Sequence, residues 1–302
     1  MPELPDVVVY IEAIQRRVKG QPLEQVRLAS PFLLRSVEPP LSTVRGKRVE
    51  AVRRLGKQIV LGLEGDLFLI VHLMISGRFR WREEPGAKIP GKLGLAAFDF
   101  PTGTLLLTEA SSQKRASLRL VAGEGQLRTL DRGGLEVLEA DLAAFRASLA
   151  RENHTLKRAL TDPRLFSGIG NAYSDEILHR ARLSPVKLTG QLAAAESERL
   201  FDASRATLRE WTQRLQTEAG EGFPEEVTAF RSAMAVHGRY HKPCPVCGAP
   251  IQRIVYASNE TNYCARCQTE GRILSDRSLA RLMKDDWPKT LEELEERTKN
   301  TK

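Results

Sequence analysis

Four cysteines fall within 24 residues of one another near the end of the chain, as Cys244-Pro245-Val246-Cys247 and Cys264-Ala265-Arg266-Cys267. Sixteen residues separate the pairs. Each pair can clamp one side of a tetrahedral zinc ion, and the chain between them is long enough for a β-hairpin. A redox dithiol is the alternative for a single Cys-x-x-Cys, but two pairs at this spacing favour structural zinc. A site closed by four thiolates holds a fold and activates no water, and its binding energy is folding energy. With every cysteine in this module, none is left for a distributed disulfide framework. Such a ribbon constrains the local fold severely and says little about function.

The remaining chain is long enough, at 302 residues, for two domains with their own cores. Its formal charge of +8 and pI near 9.5 suit a polyanionic partner. Arg45, Lys47, Arg48, Arg53, Arg54 and Lys57 crowd one stretch against a single Glu50, whereas the last residues are rich in Glu. No apolar run reaches the roughly 18 residues of a membrane span, and no signal-peptide pattern is present, so the expected location is cytoplasmic and nucleoid-associated, without a membrane partner.

Order along the chain predicts an α+β multidomain fold. Val7, Ile11, Ile14 and Val18 form one stripe at helical spacing. From about Val26 to Leu120 short strands alternate with turns, as where Gln58–Leu63 and Leu67–Val71 flank Glu64-Gly65-Asp66, or where Leu95–Phe100 meets Pro101-Thr102-Gly103. Such segments predict a sandwich or barrel-like domain. The character changes around Asp131-Arg132-Gly133-Gly134, and from Ala140 to about Met234 the segments read as helices.

Two stretches carry chemistry. Trimming of Met1 leaves Pro2 as a secondary amine next to Glu3, and such an amine forms imines with sugar aldehydes. Pro5 and Asp6 suit the start of the helix, whose positive end disfavours an ammonium nearby. An ordinary helix entry after a common Met-Pro start is the alternative. In Phe166-Ser167-Gly168-Ile169-Gly170-Asn171-Ala172-Tyr173, two glycines before a helix let backbone N–H groups, Gly170 among them, approach an anion, and the Asn171 amide can donate to a phosphate oxygen. A tight helix–helix turn is the alternative there.

These stretches, together with Arg53-Arg54-Leu55-Gly56-Lys57, His72-Leu73-Met74-Ile75-Ser76-Gly77 and Val236-His237-Gly238-Arg239 before the cysteines, make the chain resemble the formamidopyrimidine-DNA glycosylase and endonuclease VIII family, as a divergent member. The resemblance implies an N-terminal helix plus β-sandwich lobe (1–130), a helix-two-turn-helix domain (131–238) and a zinc-ribbon hairpin (239–272); the family core normally ends soon after the cysteines, so residues 273–302 are an added helical extension. It implies one structural zinc on Cys244, Cys247, Cys264 and Cys267, and a monomer acting on damaged double- or single-stranded DNA. It implies base excision with abasic-site lyase activity: Pro2 as nucleophile, Glu3 as proton donor to the opening sugar, a role needing burial or an adjacent negative charge, and Lys57 as phosphate contact and proton-transfer aid. His72, Ile75, Arg115, Lys157, Gly170, Asn171 and Asn259 become the expected DNA contacts. Three positions depart from the family pattern. Asn259 stands where an arginine usually grips phosphates, Ala116 where a phenylalanine stacks, and Leu93 where a histidine contacts DNA. The departures favour altered lesion preference, with an abasic-site lyase of little excision activity, or a zinc-dependent DNA-structure binder, as alternatives. In the tail, Ser275-Asp276 predicts a helix bearing Leu279, Leu282 and Met283, Trp287 a packing residue, and Thr290-Leu291-Glu292-Glu293 a capping box.

Overall fold

The computed structural model describes residues 1–225, 227–228, 230–256, 259–275 and 288–300. Two compact units divide it: Met1–Gly133 with Glu210–Ala229, and Gly134–Arg209 with Phe230–Lys302.

The first unit begins with helix α1 (Leu4–Val18). Val7, Tyr10, Ile14 and Val18 are fully buried and Ile11 only partly, so Tyr10 takes the core position that apolar spacing gave to Ile11. Two antiparallel sheets follow. One orders β1 (Pro22–Leu23), β3 (Lys47–Leu55), β4 (Gln58–Leu63), β5 (Leu67–His72) and β9 (Ser117–Ala122). The other orders β2 (Gln25–Leu28), β7 (Gly94–Phe100), β8 (Gly103–Glu109) and β6 (Gly77–Arg82). The β4–β5 register explains why both strands are apolar throughout. Ile59↔Val71, Leu61↔Leu69 and Leu63↔Leu67 enter the main core with Phe79, Phe98 and Leu107 of the other sheet. Val60 and Ile70 point the opposite way, into a smaller cluster closed by Leu127 of α2 (Glu124–Thr129). The period of two therefore survives, hidden by burial of both faces.

The second unit holds α3 (Leu142–Ala150), α4 (Leu156–Thr161), α5 (Asn171–Ala181) and the first part of α6 (Ala194–Ala219). Asp141 and Thr155 cap α3 and α4 by accepting backbone N–H groups, so Leu156 opens a short helix of its own. Regular helix stops at Ala219, short of the predicted Met234. Gly168, at φ +78, makes the turn into α5. Gly134 has no room for a side chain, since a Cβ there would lie 2.4 Å from the Pro163 carbonyl oxygen. The cysteine module folds as the hairpin β10 (Ile251–Tyr256) and β11 (Asn259–Cys264), then α7 (Ala265–Thr269). In the tail, α8 (Leu291–Asn300) starts with half of the expected capping box: Thr290 Oγ1 accepts from Glu293 N, but the Glu293 carboxylate accepts from Lys289 N and not from Thr290 N. Leu279, Leu282, Met283 and Trp287 lie outside the described residues.

Adjacent buried carboxylates on α5 tie these parts of the second unit together. Glu176 accepts three successive amides, Ala235 N at 2.7 Å, Val236 N at 2.9 Å and His237 N at 3.0 Å. Burial pushes its carboxyl above the usual range while the three amides pull it down. Asp175, with no exposed surface, receives Lys157 Nζ at 2.5 Å, His237 Nδ1 at 2.8 Å and Asn262 N at 3.2 Å. Glu176→Ala leaves three amides, two buried and one partly buried, without an acceptor and is expected to cost at least about 3 kcal/mol locally, a hundredfold or more in amide exchange at 235–237. Glu176→Gln, which keeps one oxygen, is expected to lose less. Unchanged exchange in Glu176→Ala would contradict the role given to this carboxylate.

Candidate active site and metal centre

The start of the chain builds a cluster of ionisable groups. Glu3, 2% exposed, is the N-cap of α1 and forms a capping box with Asp6, whose Oδ2 accepts from Glu3 N at 3.0 Å. Pro2 is buried beside it, and Pro5 lies in the first turn, where its missing N–H removes no helical bond. The amine of Met1 is pushed below its ordinary value of 8.0, first by burial. Glu3 and Asp6 oppose that change, and Arg78 and Lys57 reinforce it. All four charged side chains thus act on the amine electrostatically. Lys57 sits in the turn between β3 and β4, after Gly56 at φ +61. His72, across from Gln58 at the end of β5, is lowered from 6.5 to about 4 by burial, then by Lys57 and Arg119. It is therefore a neutral imidazole at neutral pH.

Ile75 and Arg115 are attached to the same end of the four-stranded sheet, each a few residues from the Gly77–Glu109 pair. Glu109, 1% exposed, ends β8 opposite Gly77 of β6, and its carboxylate accepts Arg115 N at 2.9 Å and Ala116 N at 3.1 Å. The turn before Gly77 presents Ile75, 56% exposed, with Met74 at φ +53. The Arg115 side chain is exposed and bonds Gln113. Ala116 belongs to the core at 3% exposure, so it is absent from the surface altogether and offers nothing to stack on a base. Leu93 is exposed, and its carbonyl accepts Glu109 N at 2.8 Å.

Within the second unit the structure brings Lys157, Gly170, Asn171 and the start of β11 together, with their polar groups already engaged. Lys157 Nζ donates to the Asn171 carbonyl at 2.7 Å as well as to Asp175. Gly170 caps α5, and its carbonyl accepts from Ser174 Oγ at 2.6 Å. Asn171 Nδ2, read from sequence as a phosphate donor, donates instead to the Glu260 carbonyl at 2.9 Å, because the hairpin strand lies against the helix start. Asn259 is exposed, paired with Tyr256 across the hairpin. Sequence reasoning missed Asp175, Glu176, Glu109 and Arg78. The first three are charges at buried positions, which periodicity scores as surface. Arg78 was legible in the alternation Arg78-Phe79-Arg80-Trp81-Arg82.

The cysteine sulfurs all lie within 4.8 Å of one another, with Cys244–Cys267 at 3.9 Å and Cys247–Cys264 at 3.4 Å. Zinc–sulfur bonds of about 2.3 Å in a tetrahedron set sulfurs about 3.8 Å apart, so the set fits one zinc ion. His179 of α5 approaches Cys244 Sγ through Nε2 at 3.3 Å, and Val246 N donates to the same sulfur at 3.4 Å. Such bonds to a ligating thiolate orient it and temper its charge. The chain thus binds one structural zinc through Cys244, Cys247, Cys264 and Cys267. Among the described residues no helix is long and apolar enough to cross a membrane.

A β-sheet lobe led by a helix with an ionisable cluster at its start, a helical unit with a glycine turn, and a four-thiolate hairpin define a zinc-bearing helix-two-turn-helix protein. Three family models match in order: the formamidopyrimidine-DNA glycosylase N-terminal domain over residues 1–131, the helix-two-turn-helix (H2TH) domain of the same enzymes over 134–219, and the zinc finger found in those glycosylases and in isoleucyl-tRNA synthetase over 242–269. The chain is 34% identical over 284 residues to the formamidopyrimidine-DNA glycosylase of Heliobacterium modesticaldum, covering 89% of this chain and 100% of that relative. The crystal structure of the MutM (Fpg) protein from Thermus thermophilus matches with TM-score 0.74 at 32% identity, covering 88% of this chain and 98% of that one. A Lactococcus lactis Fpg structure with DNA containing an abasic site matches with TM-score 0.78 at 25% identity, over 88% and 99%. The chain belongs to the formamidopyrimidine-DNA glycosylase family.

Two outcomes follow from this geometry. The folded chain keeps His72 neutral down to about pH 4, whereas the unfolded chain protonates it below about 6.5. Its contribution to stability is therefore complete above pH 6.5 and is lost as pH falls toward 4. Thermal melts of His72→Asn are expected to lose less between those values than wild type, and parallel curves would contradict the assignment. Elemental analysis is expected to give one zinc per chain, and a Cys264→Ser protein is expected to lose both the metal and the protected amides of β10 and β11.

Proposed function

We propose that this protein excises damaged bases from DNA and cuts the abasic strand through an imine formed on Pro2. What carries the reading is the placement of the N-terminal amine. It is partly buried at the positive end of α1, held below its ordinary proton affinity, and within electrostatic reach of Glu3, Lys57 and Arg78. Removal of Met1 passes the role of terminal amine to Pro2, one residue nearer the helix. The free amine's lone pair attacks C1′ of the deoxyribose, the glycosidic bond breaks, and the base departs with the bonding pair and takes up a proton. Glu3 supplies a proton to the ring oxygen as the sugar opens to the iminium. Loss of a C2′ proton then expels the phosphate on the 3′ side, and the strand is cut. Lys57 carries a positive charge in the turn before β4, suited to a phosphate beside the lesion and to relaying protons.

His72, Ile75 and Arg115 on the first unit, and Lys157, Gly170, Asn171 and Asn259 on the second, are the proposed DNA contacts. Ile75, exposed at its turn, is the apolar wedge that enters the stack when the base is flipped, at a cost of about a few kcal/mol. Burial of Ala116 and exposure of Leu93 favour a lesion preference shifted from oxidised guanine towards abasic, single-stranded or bulky damage. The protein works as a monomer, in the cytoplasm on nucleoid DNA.

A strand-cleavage assay over a panel of duplexes and single strands tests both parts. Abasic DNA is expected to be cut by wild type, with loss of at least about 100-fold in Glu3→Gln, the size of a general acid–base contribution. Oxidised guanine opposite cytosine is expected to be a poorer substrate than the abasic site. Full activity in Glu3→Gln would contradict the proton-donor role, and equal excision of oxidised guanine would contradict the shifted preference.

A further inference from the structure

The two strands of the zinc hairpin, Ile251–Tyr256 and Asn259–Cys264, carry a single basic residue, Arg253. Its guanidinium carbon lies 4.2 Å from the ring centroid of Tyr240, and Nη1 lies 3.2 Å from Glu260 Oε2. The other Glu260 carboxylate oxygen accepts Asn262 Nδ2 at 2.9 Å, and the Glu260 carbonyl accepts Asn171 Nδ2, also at 2.9 Å. The Glu260 carboxylate therefore gathers a guanidinium and one side-chain amide, while the backbone of the same residue holds a second amide. That is the donor set a phosphodiester, with its paired anionic oxygens, would engage. Stacking on Tyr240 fixes the guanidinium plane in advance, which lowers the entropy lost when a bidentate partner arrives. The Arg253–Glu260 pair is partly exposed, with side chains 43% and 30% accessible, so separating it costs little.

Building on the DNA-binding reading, we infer that Arg253 is the phosphate-gripping cation of the hairpin, and that Glu260 occupies its donors in the free protein and yields them to a DNA phosphate. Arg253 supplies from β10 the charge that Asn259 does not supply from β11. Glu260 then acts as a brake: it lowers affinity for any backbone phosphate, and a duplex seated well enough to displace it overcomes that penalty.

The test is equilibrium binding of the zinc-loaded protein to a duplex carrying a reduced abasic-site analogue, measured across salt concentrations. Arg253→Ala is expected to bind about tenfold or more weakly, as for a lost hydrogen bond to a charged group. Its plot of log affinity against log salt should flatten by about 0.9, one phosphate contact. Arg253→Lys is expected to keep the slope and lose part of the affinity, because lysine offers a point charge without the planar fork. Glu260→Gln is expected to bind several-fold more tightly. A merely structural Arg253–Glu260 pair would make Arg253→Ala and Glu260→Gln change affinity in the same direction, and that result overturns the inference. So does an unchanged slope in Arg253→Ala with one zinc per chain retained. Wild-type protein that binds no duplex at any salt removes the DNA-binding reading itself, and the inference with it.

Discussion

Two neighbouring carboxylates on one helix organise the zinc-bearing unit. Asp175 and Glu176 are buried carboxyl groups, and burying such a group costs free energy unless hydrogen-bond donors replace its lost hydration. Glu176 meets that demand with three backbone amides of 235–237, and Asp175 with Lys157, His237 and the amide of Asn262. Through these bonds α5 holds the segment entering the cysteine module, one strand of its hairpin and the short helix α4. His179, one turn further along α5, reaches Cys244. The metal closes the hairpin on itself, while α5 decides where the closed hairpin sits within the unit. Removing zinc and removing Glu176 are therefore different lesions, the first unfolding the ribbon and the second detaching it.

The other unit solves a different problem with similar means. A terminal amine must be both near cations and low in proton affinity, and burial at a helix start provides this. Glu3 and Asp6 satisfy one another's backbone groups in the capping box, so the residue proposed as acid is fixed by the same contact that starts the helix. Lys57 gains its place from a tight turn at Gly56, and its charge also helps keep His72 neutral. One cluster thus links helix capping, turn geometry and the reactivity of the amine.

Much of this was legible in the sequence, for physical reasons. The cysteine spacing specifies a tetrahedral clamp, the Glu64-Gly65-Asp66 turn specifies a hairpin, and the family pattern is carried by residues that form these features. Local periodicity misplaced Tyr10, because a large ring with a polar tip scores as a surface residue until tertiary packing buries it. It could not reveal Asp175 and Glu176, whose carboxylates find donors as far along the chain as Asn262 and residues 235–237, or Glu109, which holds the amides of Arg115 and Ala116. Asn171 shows the same limit: its place at a helix start was readable, but its hydrogen-bond partner 89 residues away was not. Ala116 reads as a shortened surface residue, yet the loop pinned by Glu109 turns it into the core.

The central claim is that the amine of Pro2, freed of Met1, is the nucleophile. Reductive trapping on abasic DNA followed by peptide mapping in a mass spectrometer tests it most directly. The predicted result is one adduct on the N-terminal peptide, with the sugar attached to Pro2 nitrogen and Met1 absent, and none after acetylation of that amine. An adduct on Lys57 or another lysine, or trapping that survives acetylation, would contradict the account.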